Sequence, residues 1–171
     1  MPRNIEIKAK ISQLETVLEK AQVLVGNIPI LIEQKDIFFH SENGRLKLRF
    51  LSASRGELIF YQRDNISGPK TSTYHVVETD QPNELRALLS AAYGEKIIVR
   101  KQRHLFLIGR TRIHIDVVTG LGEFLELEVV LDDSDDPAGG EREALELMAK
   151  LGIQSQDLVE GAYADMLALE S

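Results

Sequence analysis

The chain has 171 residues, a formal net charge of −7 and no cysteine. This length suits one domain with a sizeable core, and the lack of cysteine excludes disulfides, thiolate metal sites and a cysteine nucleophile. The N-terminal sequence MPRNIEIKAK lacks the apolar run of a signal peptide, and no segment approaches the roughly 20 apolar residues of a membrane span. We therefore expect a single soluble, cytoplasmic domain over residues 1–171, and its acidic balance argues against non-specific nucleic-acid binding.

Polar and apolar residues alternate strictly in several segments, which is typical of strands with one polar and one apolar face. The clearest segments are 4–11, 45–50, 58–63, 112–117 and 125–129, and a weaker one covers 99–103. Lys70, Ser72 and Tyr74 follow a Gly-Pro turn and are expected either on a strand beside a cavity or in solvent. Tyr61 and His114 are in phase with the charged faces and are expected to be structural.

Four helices are predicted between and after these strands. Ser12 and Glu15 have the spacing of a capping box at the start of the first helix. The second runs from Pro82 to a stop at Gly94, the third covers 141–151 with Gly152 as its cap, and the last covers 156–169. Helices mixed with antiparallel strands, without βαβ regularity, predict an α+β fold.

The polar faces of the predicted strands are sorted by charge. The middle strands carry Arg and Lys, while the 124–131 strand carries two carboxylates. Such faces either point to solvent and form weak ion pairs, or point into a closed barrel of about eight strands. Alternation alone leaves these alternatives nearly balanced. Inward charges would require a ligand, and a polyanion bridged to the carboxylates by a divalent metal would satisfy them.

A series of motifs favours the inward alternative. In chain order they are NIEIK at 4–8, GRLKLR at 44–49, YQR at 61–63, KQR at 101–103, RIHID at 112–116, GLGEFLELE at 120–128 and AYADML at 162–167. This order resembles the CYTH superfamily of triphosphate tunnel metalloenzymes, and most of all its class IV adenylate cyclase and CyaB-like branch. The resemblance implies a closed antiparallel β-barrel around a triphosphate tunnel, with helices packed outside.

The resemblance also implies roles for the charged residues. Among the basic residues, it assigns Lys8, Arg63 and Lys101 to catalysis. It assigns to triphosphate binding Lys8, Lys10, Arg45, Lys47, Arg49, Arg63, Lys101, Arg103 and Arg112. Lys10 and Arg45 have the alternative of lying on the rim. Arg forks match phosphate oxygens in pairs, and Lys acts as a point charge.

The implied metal ligands, for Mg²⁺ or Mn²⁺, are Glu6, Asp116, Glu126 and Glu128. Asn4 stands where the first motif of the family has a glutamate. An amide oxygen can still bind a metal ion but carries no charge, so we expect weaker metal binding at this position.

Three functions fit these motifs. A class IV adenylate cyclase would convert ATP to cyclic AMP and pyrophosphate, and a triphosphatase would hydrolyse inorganic triphosphate or thiamine triphosphate. A module that binds a triphosphate without turnover is the third, and Asn4 motivates it. The expected partner is thus a small triphosphate, with a homodimer as a candidate assembly and no membrane or nucleic acid.

Overall fold

The computed structural model of the protein describes residues 2–64 and 66–170, the last without its side chain. Within them the strands are β1 (Arg3–Lys10), β2 (Ile30–Phe39), β3 (Arg45–Ser52), β4 (Arg55–Arg63), β5 (Lys70–Thr79), β6 (Glu95–Ile108), β7 (Thr111–Val118) and β8 (Gly122–Leu131). The helices are α1 (Leu14–Val25), α2 (Pro82–Tyr93), α3 (Pro137–Lys150) and α4 (Tyr163–Glu170), with a 3₁₀ turn at Ser155–Asp157.

The strands form a closed antiparallel barrel in the order β1-β5-β4-β3-β2-β6-β7-β8, and pairing of β8 with β1 closes it. This confirms the predicted barrel with helices outside. In this order β1 lies half-way around the barrel from β2, and β8 half-way around from β3. Side chains that point inward from those pairs of strands therefore face one another across the interior.

The largest apolar cluster lies outside the barrel, between its strands and the helices. Ile5 and Ile7 of β1 and Leu125 and Leu127 of β8 are fully buried in a cluster that also includes Met148 of α3. Burying each such side chain stabilises the fold by about 1.5–3 kcal/mol. Because successive strand residues point to opposite faces, an outward apolar face leaves the charged face directed into the barrel.

The C-terminal segment closes one end of the barrel. The N–H of Val159 donates to the Lys8 carbonyl over 2.9 Å, at the end of β1. Tyr163, the first residue of α4, packs against Phe124 with ring centroids 5.1 Å apart. At the opposite end Leu51 and Val76 face the interior and remain 39 % and 44 % exposed. The interior is therefore open at one end and has a floor at the other.

Two helix starts differ from the prediction. The capping box at Ser12 is wrong, because Gln13 precedes α1 and its side chain makes no capping bond. The third helix begins at Pro137 instead of residue 141, because the Asp136 side chain accepts a hydrogen bond from the Ala138 N–H and caps it.

The continuous helix predicted over 156–169 is also wrong. Its first part contains only the short 3₁₀ turn, after which Leu158 pairs with Ala9 as a β-bridge. Gly161 then adopts a φ of 85°, and α4 begins two residues later. Pairing with the free end of β1 has overridden the helical spacing of the apolar residues.

Candidate active site

A cavity of about 460 Å³ occupies the interior of the barrel, and each of its eight strands contributes side chains to the described lining. Ala162 and Tyr163 form its floor. Ligand pockets in proteins usually measure about 300–1,000 Å³, so the cavity is large enough for a small organic triphosphate.

Most of the basic residues predicted from the sequence line this cavity. They are Lys8, Lys47, Arg49, Arg63, Lys101, Arg103 and Arg112. The other two lie outside the lining. Lys10 is exposed at the end of β1, and Arg45 makes a salt bridge with Asp165 of α4 near the closed end.

One buried carboxylate, Asp36 of β2, was not predicted. It accepts two hydrogen bonds from Arg49, over 2.8 and 2.9 Å, and one from Lys47 over 3.2 Å. The Lys101 ammonium lies 3.8 Å away. Burial alone would raise the pKa of Asp36, but Arg49, Lys47 and Lys101 outweigh it and hold that pKa well below its usual range. We call these four residues the basic wall.

Both lysines of the basic wall, Lys47 and Lys101, have pKa values below the ordinary value of lysine. Burial is the main cause in both, and neighbouring guanidinium groups add to it. The pKa of Lys47 falls to about 8, with Arg49 as the closest contributor. The pKa of Lys101 falls well below its usual range, with Arg103 as the added cause. A bound anion would compensate the excess positive charge here.

The acidic wall, on β1 and β8, consists of Glu6, Glu126 and Glu128. Their strand register brings Glu6 directly opposite Glu128. In each carboxylate the Oε2 atom forms the salt bridge: Glu6 with Arg63 over 2.8 Å, Glu126 with Lys8 over 3.3 Å, and Glu128 with Arg112 over 2.8 Å.

The acidic wall is electrostatically strained. Burial, followed by repulsion from Glu126 and Glu128, raises the pKa of Glu6. Each of Glu126, Glu128 and the neighbouring His114 offers one potential metal-ligand atom, and these three atoms all lie within 4.8 Å of one another. Oxygen-rich groups at this spacing fit a divalent cation such as Mg²⁺ or Mn²⁺, which would relieve the repulsion between the carboxylates.

Two further predicted metal ligands lie apart from this cluster. Asp116 is fully buried behind the cavity lining, receives two hydrogen bonds of 2.8 Å from Arg103 and accepts a third from the Tyr163 hydroxyl. Burial would raise the pKa of Asp116, but Arg103 holds it at about 2. Its geometry suits orienting Arg103. Asn4 does line the cavity, and its buried side-chain oxygen has no hydrogen-bond partner among the described residues.

Of the three β5 residues whose position the sequence left open, Ser72 and Tyr74 line the cavity, whereas Lys70 is buried outside the lining and donates a hydrogen bond to the Ile66 carbonyl. Tyr61 and His114, which were expected to be structural, line the cavity as well. The Lys47 ammonium lies 5.3 Å from the centre of the Tyr61 ring, within the range of a cation–π contact.

An apolar collar surrounds part of the open end. Ile32, Leu51, Val76 and Leu105 line the cavity there, on β2, β3, β5 and β6. The sequence did not predict this collar. It could have been recognised because, in each of these strands, the residues that alternate inward are apolar towards one end of the strand.

Residues 2–163 match the CYTH domain family. The chain belongs to this family. It is 24% identical over 172 residues to a Methanocaldococcus jannaschii protein named as a candidate adenylate cyclase, and the match covers 96% of this chain and 98% of that one.

Solved structures share the CYTH fold. The PH1012 protein of Pyrococcus horikoshii has a TM-score of 0.79 at 18% identity, over 95% of this chain and 98% of its own. A Hippeastrum protein, described as revealing a dominant triphosphatase activity, has a TM-score of 0.65 at 13% identity, over 99% of this chain and 95% of its own. Within the described residues of our chain, every helix is too short or too polar to cross a membrane.

Proposed function

We propose that the protein is a metal-dependent enzyme acting on an organic triphosphate, and that its reaction resembles that of a class IV adenylate cyclase: ATP to cyclic AMP and pyrophosphate. The observation that carries the proposal is the placement of the basic wall and the acidic wall on opposite sides of one cavity. The described lining contains seven Lys and Arg side chains and five carboxylates. A triphosphate and a divalent cation would together satisfy both walls.

The apolar collar supports an organic substrate over inorganic triphosphate. Ile32, Leu51, Val76 and Leu105 lie between the basic wall and solvent. An inorganic triphosphate has no apolar part to bury there, whereas a nucleobase or a thiazolium ring would displace water from these side chains and gain binding energy.

The proposed chemistry depends mainly on positioning and charge neutralisation. The basic residues hold the triphosphate. Glu126 and Glu128 would hold a divalent ion, which when bound would supply positive charge to neutralise the phosphate. The ribose 3′-hydroxyl oxygen then bonds to the α-phosphorus as the bond to pyrophosphate breaks. The hydroxyl proton leaves to solvent through the open end of the cavity. Burial lowers the pKa of Lys8 and of Lys101, but each ammonium lies beside a carboxylate, Glu126 or Asp36, and acts as a cation towards the phosphates. Lys8, Arg63 and Lys101 are the proposed catalytic residues.

Triphosphatase activity is the second candidate. The same walls would hold a triphosphate whose terminal phosphorus is attacked by water. The Hippeastrum structural neighbour, described as having dominant triphosphatase activity, supports this alternative. Asn4, which places a neutral amide at a carboxylate position of the family motif, supports the third candidate, a binding module without turnover.

A comparison of substrates tests the proposal. We would incubate the purified protein, with Mg²⁺ and with Mn²⁺, with ATP, thiamine triphosphate or tripolyphosphate, and separate the products by ion chromatography. Cyclic AMP and pyrophosphate from ATP are expected. Equal amounts of orthophosphate and pyrophosphate from tripolyphosphate, with no cyclic AMP from ATP, would replace the cyclase with a triphosphatase. Binding of all three substrates without turnover would leave the binding module.

Two Arg→Gln variants of β6 distinguish the loss of a cation inside the cavity from the loss of a cation on the outer surface. Arg103→Gln removes a cation of the cavity, and we expect it to abolish most of the activity. Arg100→Gln removes a cation of the same strand that is exposed outside the barrel, and its activity should stay at the wild-type level. Equal losses in both variants would contradict the assignment of the cavity.

A further inference from the structure

The imidazole of His114 has a buried ring nitrogen to which the described residues offer no hydrogen bond. His114 lies in β7, is 4 % exposed and faces the cavity beside β8. Its Nδ1 atom lies 3.8 Å from Oε1 of Glu126 and 3.8 Å from Oε1 of Glu128. Both distances are too long for a hydrogen bond, and Nδ1 has no partner among the described residues. A buried polar atom without a partner costs free energy unless a ligand supplies one.

The carboxylate atoms that approach Nδ1 are the Oε1 atoms of Glu126 and Glu128, while their Oε2 atoms make the short salt bridges with Lys8 and Arg112. Oε1 of Glu126 also lies 4.0 Å from Nη2 of Arg103, beyond hydrogen-bond distance. Two ligands of one octahedral ion at about 2.1 Å lie about 3 Å apart when adjacent and about 4.2 Å apart when opposite. The observed separations of 3.8 Å fall between these values, so a small movement would bring the three atoms around an ion.

We infer that the His114 imidazole is a ligand of the metal site formed by Glu126 and Glu128, and that this site binds a divalent transition ion such as Mn²⁺ more tightly than Mg²⁺. Mg²⁺ strongly prefers oxygen ligands and retains its waters, whereas an imidazole nitrogen suits transition ions. The inference rests on the proposed function only in that a divalent ion occupies the acidic wall. It gives this chain a nitrogen ligand beside the two carboxylates of β8.

Pulsed EPR of the Mn²⁺-loaded protein tests the inference directly, because it detects nitrogen bound to the ion. We expect a directly coordinated ¹⁴N in the wild-type protein, replaced by a ¹⁵N signal when the protein is produced with ¹⁵N-labelled histidine. His114→Gln should lose the signal. His75→Gln should retain it, because His75 is exposed on the outer face of β5.

Calorimetric titration provides a second measurement. In His114→Gln the Kd for Mn²⁺ should rise at least about tenfold, while the Kd for Mg²⁺ should change less than about threefold, since Mg²⁺ gains little from the imidazole. Absence of a bound nitrogen in the wild-type protein, or its persistence in His114→Gln, would overturn the inference. The labelled wild-type protein decides the matter even if the variant does not fold.

The outcomes also separate this inference from the proposed function. If Mn²⁺ binds through oxygen atoms alone and cyclic AMP is still formed, the inference fails and the proposed function stands. If Mn²⁺ binds through His114 and no substrate reacts, the proposed function fails and the inference stands. If neither Mn²⁺ nor Mg²⁺ binds, both fail.

Discussion

The basic wall and the acidic wall achieve charge balance in different ways. On the basic wall a single carboxylate, Asp36, lies among three cations, and the excess is positive. On the acidic wall each of the three carboxylates forms a salt bridge with its own cation through Oε2, and Oε1 of Glu126 lies 4.0 Å from Arg103 as well. The difference supports the proposal that an anion binds beside the basic wall and a divalent cation at the acidic wall. Because the walls lie on different strands, substitutions can weaken one wall and leave the other intact.

The largest effect is expected on the acidic wall. Glu126→Gln keeps the shape of the side chain but removes the charge that would hold a metal ion. We expect kcat/KM for ATP to fall on the order of 1,000-fold, as is typical when a group that neutralises transition-state charge is removed. The matched control is Glu146→Gln, on an exposed part of α3. A loss of less than about tenfold in Glu126→Gln would place the metal elsewhere.

On the basic wall we expect an effect on stability. Asp36→Asn leaves the buried Arg49, Lys47 and Lys101 without their shared counter-ion. Breaking a buried pair in this way costs about 3–5 kcal/mol, which corresponds to a fall in Tm of roughly 6–20 °C for a protein of this size. Tripolyphosphate should restore more of the Tm in the variant than in the wild-type protein, because it replaces the lost negative charge.

Scanning calorimetry with and without tripolyphosphate would measure both effects of Asp36→Asn. An unchanged Tm would show that Asp36 is dispensable for balancing the basic wall. A lower Tm that tripolyphosphate does not raise would show that the basic wall does not bind phosphate.

A moderate effect is expected from pH. Burial, with Arg49 and Arg103 adding to it against Asp36, lowers the pKa of Lys47 to about 8. The side chain is therefore an ammonium below pH 8 and increasingly a neutral amine above it, so the affinity for tripolyphosphate should fall as the pH rises from 7 to 9. Loss of one charge-assisted contact corresponds to roughly tenfold in Kd.

Lys47→Arg is the matched variant for this pH effect, because a guanidinium stays charged throughout this range. Its affinity should be nearly constant between pH 7 and 9, as measured by calorimetric titration. A wild-type affinity that is equally flat would remove Lys47 from the phosphate contacts.

The smallest effect is expected at Asn4. Asn4→Glu restores the carboxylate of the family motif and should raise the affinity for a divalent ion about three- to tenfold, with a similar gain in rate at low metal concentration. A gain of several hundredfold in rate would instead indicate that the wild-type site is degenerate. If the wild-type protein already turns over substrate rapidly and Asn4→Glu changes the rate little, the hypothesis of a binding module without turnover is excluded.

The sequence predicted the regions where one physical pattern dominates. β1, β7 and β8 have charged residues on one face and apolar residues on the other, so their period of two was clear. β2 was missed because its apolar residues lie on both faces: Ile32 and Phe38 line the cavity, whereas Ile37 and Phe39 pack outside it in a cluster with Leu89 of α2. Asp36 was missed with it.

Tertiary contacts explain the remaining differences. The spacing of Leu158, Ala162 and Met166 suits a helix, but only the part that rests on the barrel floor is helical, since Leu158 pairs with β1. The family motifs likewise predicted which charges face inward in β3, β6 and β8, but they did not indicate that Asp116 is bound by Arg103 instead of joining the acidic wall.

The most direct test of the central claim is a ³¹P NMR time course of the wild-type protein with ATP and Mg²⁺, in which every phosphorus-containing product is seen at once. If the two walls hold ATP and a metal ion as proposed, cyclic AMP and pyrophosphate form in equimolar amounts, so the pyrophosphate resonance grows with twice the intensity of the cyclic AMP resonance as those of ATP decline. Glu126→Gln should leave ATP intact. An unchanged ATP spectrum in the wild-type protein, or conversion to ADP and orthophosphate alone, would contradict it.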